Sequence, residues 1–172
     1  MNIELYSNRT VMRPFAESDA LELLALFRDP CVRHYLPDDS LVTLEWVRDE
    51  IQTSAERFTR NGAGLWSVRL KHEESIVGFV GFREFFDPPQ LQLLYGLLPD
   101  YWGLGFATEV AARLCTEAFD ILGFETVKAA TDVPNSASSR VLTRLGFKLV
   151  PDAQSSDTLF YTLDREQWRG RT

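Results

Sequence analysis

Residues 99–115 read PDYWGLGFATEVAARLC, and the fold turns on them. Gly103, Gly105 and Ala107 occupy every second position just before a helical pattern. In that pattern Val110, Ala111, Leu114, Ala118 and Ile121 share one face, and Gly123 closes the run. Backbone this bare at the mouth of a helix lies where free N–H groups and the positive end of the helix dipole converge. Small residues there let an anion approach the main chain, and Thr108 adds a hydroxyl donor. A phosphate or pyrophosphate is the guest such a loop admits. The same spacing also suits a plain tight turn, with the two glycines at positive φ and Ala107 packed as an ordinary helix residue. It is not a P-loop, since no Gly-Lys-Ser/Thr follows. It also lacks the third glycine of the dinucleotide fingerprint, and the strand before it ends a meander instead of opening a parallel βαβ unit.

Upstream, the hydrophobic period changes twice. RTVMRPF (9–15) has the look of a short strand stopped by Pro14. In ESDALELLALFRD, Ala20, Leu23, Leu24 and Phe27 share a helical face with Ser18 as the cap, and a second helix carries Leu44, Val47, Ile51, Ala55 and Phe58 up to Gly62. LWSVRLK (65–71) then alternates as a half-buried strand, SIVGFVGFRE (75–84) is apolar on both faces, and LQLLYGLL (91–98) completes an antiparallel meander. Downstream, ETVKAAT (125–131) is a strand, NSASSRVLTRLG (135–146) a helix ending at Gly146, and FKLV and TLFYTLD two final strands. The order βααβββαβαββ gives a mixed sheet with helices on its faces, in the α/β or α+β class. No repeat, linker or low-complexity tract divides it, so residues 1–172 are expected to form one domain.

Composition narrows the function classes. The chain has 172 residues, 45% hydrophobic and 25% charged, as in ordinary globular domains. A formal net charge of −7 argues against a nucleic-acid binder. Cys31 and Cys115 are the only cysteines and have no CxxC spacing, so neither a metal site nor a disulfide framework is expected. No signal peptide pattern and no membrane-spanning run are visible, which makes a cytoplasmic, membrane-free protein the expectation.

LLPDYWGLGFATEVA resembles the coenzyme A loop of the GNAT acyltransferases, with the family's Gln/Arg-x-x-Gly-x-Gly/Ala falling on Trp102 to Ala107. NSASSRVLTRLGF (135–147) is similar to the family's N-x-x-S-x-R-V-L-x-x-x-G-F segment. RTVMRPFAESDALELLALFRDPCVRHYL resembles the N-terminal signature of the ribosomal-protein N-acetyltransferase (RimJ/RimL-like) branch. The resemblance implies the GNAT fold with a splayed central sheet, and acetyl-CoA as co-substrate without a metal. It implies transfer of the acetyl group to a primary amine of a peptide N-terminus or small molecule, by direct attack in a ternary complex. Monomer and homodimer both remain open. A non-catalytic CoA-binding regulatory protein on the same fold is the alternative, as is a phosphate-binding domain unrelated to CoA.

Carried over residue by residue, the amides of Gly103, Leu104, Gly105, Phe106, Ala107 and Thr108 would grip the pyrophosphate. The backbone of Tyr95, Gly96, Leu97 and Leu98 would pair with the pantetheine arm, with a bulge at Gly96 and the Leu97 N–H serving the oxyanion. Asn135 would bond the pantetheine end, or act only as a helix cap. Ser138 would stabilise or protonate the leaving thiolate, and Arg140 would reach the CoA phosphates; each is equally readable as a surface residue. Three positions depart from the family: Gln92 stands where relatives carry a glutamate base, Leu142 where many carry a tyrosine acid, and Trp102 in place of Gln/Arg. Glu84, Tyr95 and His34 are the remaining base candidates, and Asp38 and Asp39 are candidates for pairing with a cationic acceptor. The aromatics Tyr35, Trp46, Trp66 and Phe85 are expected in the core.

Overall fold

The computed structural model describes residues 3–33, 42–151 and 157–170. Among these, eight strands form one sheet in the order β1-β2-β3-β4-β5-β6-β8-β7. The strands are β1 (Leu5–Tyr6), β2 (Thr10–Pro14), β3 (Leu65–Leu70), β4 (Gly78–Phe85), β5 (Gln90–Leu97), β6 (Thr126–Asp132), β7 (Lys148–Leu149) and β8 (Thr158–Asp164). The helices are α1 (Ala20–Arg28), α2 (Pro30–Arg33), α3 (Leu44–Asn61), α4 (Phe106–Thr116), α5 (Ser136–Leu145) and α6 (Arg165–Arg169). The expected order is present, with β1, α2 and α6 added. Those three are two, four and five residues long, too short to show a period.

Local chemistry explains the main boundaries. Thr43 caps α3 by accepting from the Trp46 N–H at 3.1 Å, and Gly62 ends that helix at φ 74°. The expected cap at Ser18 is displaced: residues Glu17–Asp19 form a 3₁₀ turn and Asp19 is the N-cap of α1. The buried Asp19 carboxylate is held by Arg69 at 2.8 Å, a partner fifty residues away. α4 passes into a π-helical turn, Glu117–Ile121, before Gly123.

Two apolar layers cover the sheet. On one side Leu23, Leu26, Phe27, Val32, Val47 and Ile51 from α1–α3 pack on Leu65 and Phe79. On the other, Val110, Ala111, Leu114, Cys115, Leu142 and Leu145 from α4 and α5 pack on Val80, Phe82, Leu93, Val127 and Ala129. Of the aromatics expected in the core, Trp66 is fully buried and Trp46 packs edge-on against Phe27. Phe85 stacks with Phe86 near the β4–β5 turn, and Tyr35 lies outside the described residues.

Every neighbouring pair of strands is antiparallel except one. β5 and β6 run parallel around α4, and their register comprises only Gln92↔Lys128 and Leu93↔Ala129. The Gly loop therefore does sit in a parallel βαβ unit, against expectation, but it lacks the third glycine of the dinucleotide pattern and is set off from β5 by the 3₁₀ turn Pro99–Tyr101. Beyond Leu93 and Ala129 the two strands part, and the sheet splays. The bulge expected at Gly96 is absent: β4 and β5 keep one register from Gly78↔Leu97 to Phe85↔Gln90. Glycine is required there for another reason. A Cβ at residue 96 would lie 2.6 Å from the Phe79 ring, which itself packs against Phe27 at 5.1 Å between centroids. Gly96→Ala is expected to cost about 1–3 kcal/mol in urea unfolding, with part of the loss recovered in a Phe79→Leu background.

Candidate active site

The splay and the start of α4 open into one cavity of about 530 Å³. Its floor comes from β5, one wall from the loop into α4, the other from the first turns of α5, and its far end from α2. Each element brings one kind of group.

The loop brings main-chain donors. A 3₁₀ turn, Pro99–Tyr101, leads out of β5, and Gly103 and Gly105 then adopt φ of 70° and 83°. Gly105 is the N-cap of α4 and has no side chain with which to cap it. The N–H groups from Gly103 to Thr108 consequently have no acceptor among the described residues. Gly103, Gly105, Phe106, Ala107 and Thr108 line the cavity, whereas the Leu104 side chain points to solvent. Trp102 also lines it, and its indole N–H donates to the Leu97 carbonyl at 2.8 Å, tying the loop back to β5.

β5 brings backbone groups of its own. The Leu98 N–H donates to the Val77 carbonyl at 2.9 Å. Bonded pairs alternate along an antiparallel ladder, so Gly96 and Leu98 turn their main-chain groups toward β4. Tyr95 and Leu97 turn theirs away, into the splay. Of the four residues expected to offer backbone there, two do. The Leu97 carbonyl is already taken by Trp102, which leaves its N–H open.

α5 brings side chains. Asn135 is its N-cap, accepting from the Ser138 N–H at 3.1 Å through Oδ1, while Nδ2 has no acceptor among the described residues. Ser138 Oγ lies 2.8 Å from the Tyr95 hydroxyl. Burial raises the Tyr95 phenol well above its ordinary value, and the Ser138 hydrogen bond offsets only part of this, so the phenol keeps its proton. Arg140 and Arg144, one helical turn apart, both line the cavity, and no carboxylate among the described residues does so. The i, i+4 spacing of these arginines is visible in the sequence, although the family resemblance marks Arg140 alone.

Other candidates lie elsewhere. Glu84 pairs with Leu91 near the β4–β5 turn, forms an ion pair with Arg60 at 3.2 Å and does not line the cavity. Gln92 is buried at the point where β5 and β6 part, and its Oε1 has no partner among the described residues. On the opposite strand the buried Thr131 Oγ1 likewise has none among them. Buried polar atoms are normally satisfied, so the two strands that separate each carry an exception. Leu142 is 1% exposed in the core and offers no chemistry. Burial pushes the Cys115 thiol up to about 12, which removes it as a nucleophile near neutral pH. Cys31, Val32, Phe79 and Leu94 form the far end, none of them expected from the sequence. His34, Asp38 and Asp39 lie outside the described residues.

One further cluster holds the loop in place. Arg9, at the start of β2, bonds Glu109 in the first turn of α4 through Nε at 2.7 Å and the Leu104 carbonyl through Nη1 at 3.0 Å. Its guanidinium lies 4.0 Å from the Phe106 ring centroid. The Arg9 N–H and the Ser7 hydroxyl also donate to Glu109. Desolvation alone would raise the Glu109 pKa, but these donors and the guanidinium outweigh it, and the carboxyl titrates below its ordinary 4.5. The cluster bridges residues about a hundred apart, so no local pattern could announce it.

A cavity lined by unbonded N–H groups, arginines and an open strand edge suits an anionic, extended ligand. The chain belongs to the GNAT acetyltransferases, for residues 9–148 match the model of the acetyltransferase (GNAT) domain. It is 26% identical over 145 residues to the uncharacterized N-acetyltransferase YoaA of Bacillus subtilis (strain 168), across 84% of this chain and 82% of that one. An acetyltransferase from Agrobacterium tumefaciens shares the fold with a TM-score of 0.81 at 23% identity, over 95% of each chain. A RimL ribosomal alpha-N-protein acetyltransferase solved in complex with coenzyme A does so with a TM-score of 0.78 at 18% identity, over 96% of this chain and 99% of that one. The protein is thus an acetyltransferase. No described helix is long and apolar enough to cross a membrane, and no described group of three or more His, Cys, Asp or Glu side chains is placed to share a metal ion.

If the loop holds coenzyme A, Arg9→Ala should weaken that binding by about tenfold in calorimetry, by freeing the loop to move. The Glu109 pKa is lowered on folding, so its contribution to stability is present above 4.5 and fades as pH falls through the folded value. Glu109→Gln should accordingly lower the unfolding midpoint at pH 7, by an amount that shrinks as the pH is taken below 4.5.

Proposed function

We propose that the chain, as a single domain, is an acetyl-CoA-dependent N-acetyltransferase acting on a primary amine by direct attack in a ternary complex. The observation that carries this reading is the sharing of one cavity by the uncapped N-terminus of α4 and the opening between β5 and β6. The six N–H groups from Gly103 to Thr108, with Arg140, suit a diphosphate. The outward N–H and C=O of Tyr95, and the N–H of Leu97, suit the amides of an extended pantetheine arm. Asn135 Nδ2 lies on the opposite wall for the far end of that arm.

The chemistry then needs a neutral amine, an oxyanion donor and a place for the thiolate. The Leu97 N–H is the donor at the opening, and the Ser138 hydroxyl donates to the departing sulfur. The amine nitrogen bonds the acetyl carbon, the carbon–sulfur bond breaks with its electron pair going to sulfur, and the nitrogen loses a proton. Gln92 cannot accept that proton, and Glu84 is occupied by Arg60 away from the cavity. Among the described residues the cavity offers no carboxylate or imidazole as a base, so on this reading the amine arrives already neutral, a condition that an α-amine with a pKa near 8 meets far better than a lysine near 10.4. This favours a peptide N-terminus or an α-amino small molecule, in keeping with the RimJ/RimL-like branch.

Acetyl-CoA incubated with panels of α-amino peptides, amino acids and lysine-only peptides, with free thiol followed, tests the reading. Turnover is expected with α-amines, and kcat/KM should rise about tenfold per pH unit until the amine's own pKa. A plateau two units below that pKa would reveal a protein base and contradict the base-free route. Tight coenzyme A binding without turnover on any amine would contradict the reaction itself.

A further inference from the structure

Tyr95 stands two residues beyond the last parallel pair of β5 and β6, Leu93↔Ala129, where the sheet has already opened. Its side chain shares a face with Leu93 and reaches α5, where the hydroxyl lies 2.8 Å from Ser138 Oγ and 3.3 Å from the Ser138 carbonyl. Both residues line the cavity. The direction of the short bond decides what Ser138 can do. If the serine donated, its one proton would be spent on the phenol. A phenol is the stronger donor of the two, and its oxygen, conjugated with the ring, is the weaker acceptor. Of the phenol's two acceptors, Oγ at 2.8 Å is nearer than the carbonyl at 3.3 Å, so we take the proton to run from Tyr95 to Ser138 Oγ, which leaves the serine proton without an acceptor among the described residues. It is free to point into the cavity.

Leu142, one turn further along α5, is sealed in the core and offers no hydroxyl. Tyr95 and Ser138 form a hydrogen-bonded hydroxyl pair on the cavity wall, joining β5 to α5. We propose that Tyr95 is the positioning residue of the reaction: it donates to Ser138 Oγ and so directs the serine proton at the sulfur that leaves coenzyme A. This inference rests on the acetyl-transfer reading above. When the carbon–sulfur bond breaks, the electron pair on sulfur accepts a hydrogen bond from Ser138. The proton lost by the nitrogen later neutralises the thiolate, and both hydroxyls keep their own protons throughout.

Tyr95→Phe removes only the donor. Its kcat should fall about five- to tenfold, the scale of one neutral hydrogen bond, with the KM for acetyl-CoA unchanged. Ser138→Ala should fall at least as far, and the double variant no further than Ser138→Ala alone, since the tyrosine acts only through the serine. A change in packing would instead raise KM or lower the unfolding midpoint. If Tyr95→Phe does not fold, 3-fluorotyrosine introduced in place of Tyr95 keeps the shape with a stronger donor, and kcat should hold or rise; a tenfold fall would count against the proposal. Wild-type kcat in Tyr95→Phe beside an impaired Ser138→Ala, or additive losses in the double variant, would overturn this inference alone. Full activity in Ser138→Ala would overturn the role of the serine as well, and absence of turnover in the wild type would remove the reaction.

Discussion

The parallel contact between β5 and β6 is the constraint on which the site depends. β5 is bound to β4 along its whole length, and β6 likewise to β8. Between β5 and β6 the ladder holds for two residue pairs. Each half of the sheet is therefore anchored to its own neighbours, and the seam between them is free to open. Backbone groups on an open seam have lost their sheet partners without leaving the fold, a costly state unless something else bonds them. An extended amide-bearing chain is the kind of molecule that does so, in the manner of an added strand.

The same seam positions the rest of the chemistry. Because β5 leads into the Gly loop, the seam and the start of α4 share one cavity, which one extended molecule would span on the proposed reading. The loop meets this by leaving its donors free, with glycine at the cap position where other helices place Ser, Thr, Asp or Asn. Its shape is imposed from outside by Arg9, which grips both the Leu104 carbonyl and Glu109. That ion pair has a second effect: a carboxylate in the first turn of α4 would oppose an incoming anion, and the guanidinium cancels it. Local arrangement thus overrides the formal net charge of −7, which describes the chain and not the cavity.

Much of this was legible in the sequence, for a physical reason. The helical spacing of Leu44, Val47, Ile51 and Phe58 projects burial on one face, although Ala55 is exposed, so α3 was readable. Alternation marked LWSVRLK as β3, although Ser67 and Arg69 are buried along with Trp66 and Val68 instead of facing solvent. The Gly loop was readable because only a few residue types tolerate its dihedrals. Elements without a period were not: β1, α2 and α6 are too short to have one. Nor was the parallel pairing of β5 with β6, since a strand's partner depends on where the chain returns after α4. Among site residues, those in the two contiguous motifs were found, while Arg9, Val32, Phe79 and Leu94 come from distant segments with no pattern of their own. Gly96 was noticed for a bulge and is instead required by the ring of Phe79.

The central claim is that the main-chain N–H groups at the start of α4 hold a diphosphate. Amide chemical shifts of ¹⁵N-labelled protein, recorded while coenzyme A or the phosphate-free pantetheine is added, test it most directly. The account predicts that coenzyme A moves the resonances of Gly103 to Thr108 more than any others, and that pantetheine leaves these six in place while moving Tyr95 and Leu97. Resonances of the loop that stay fixed at saturating coenzyme A would contradict it.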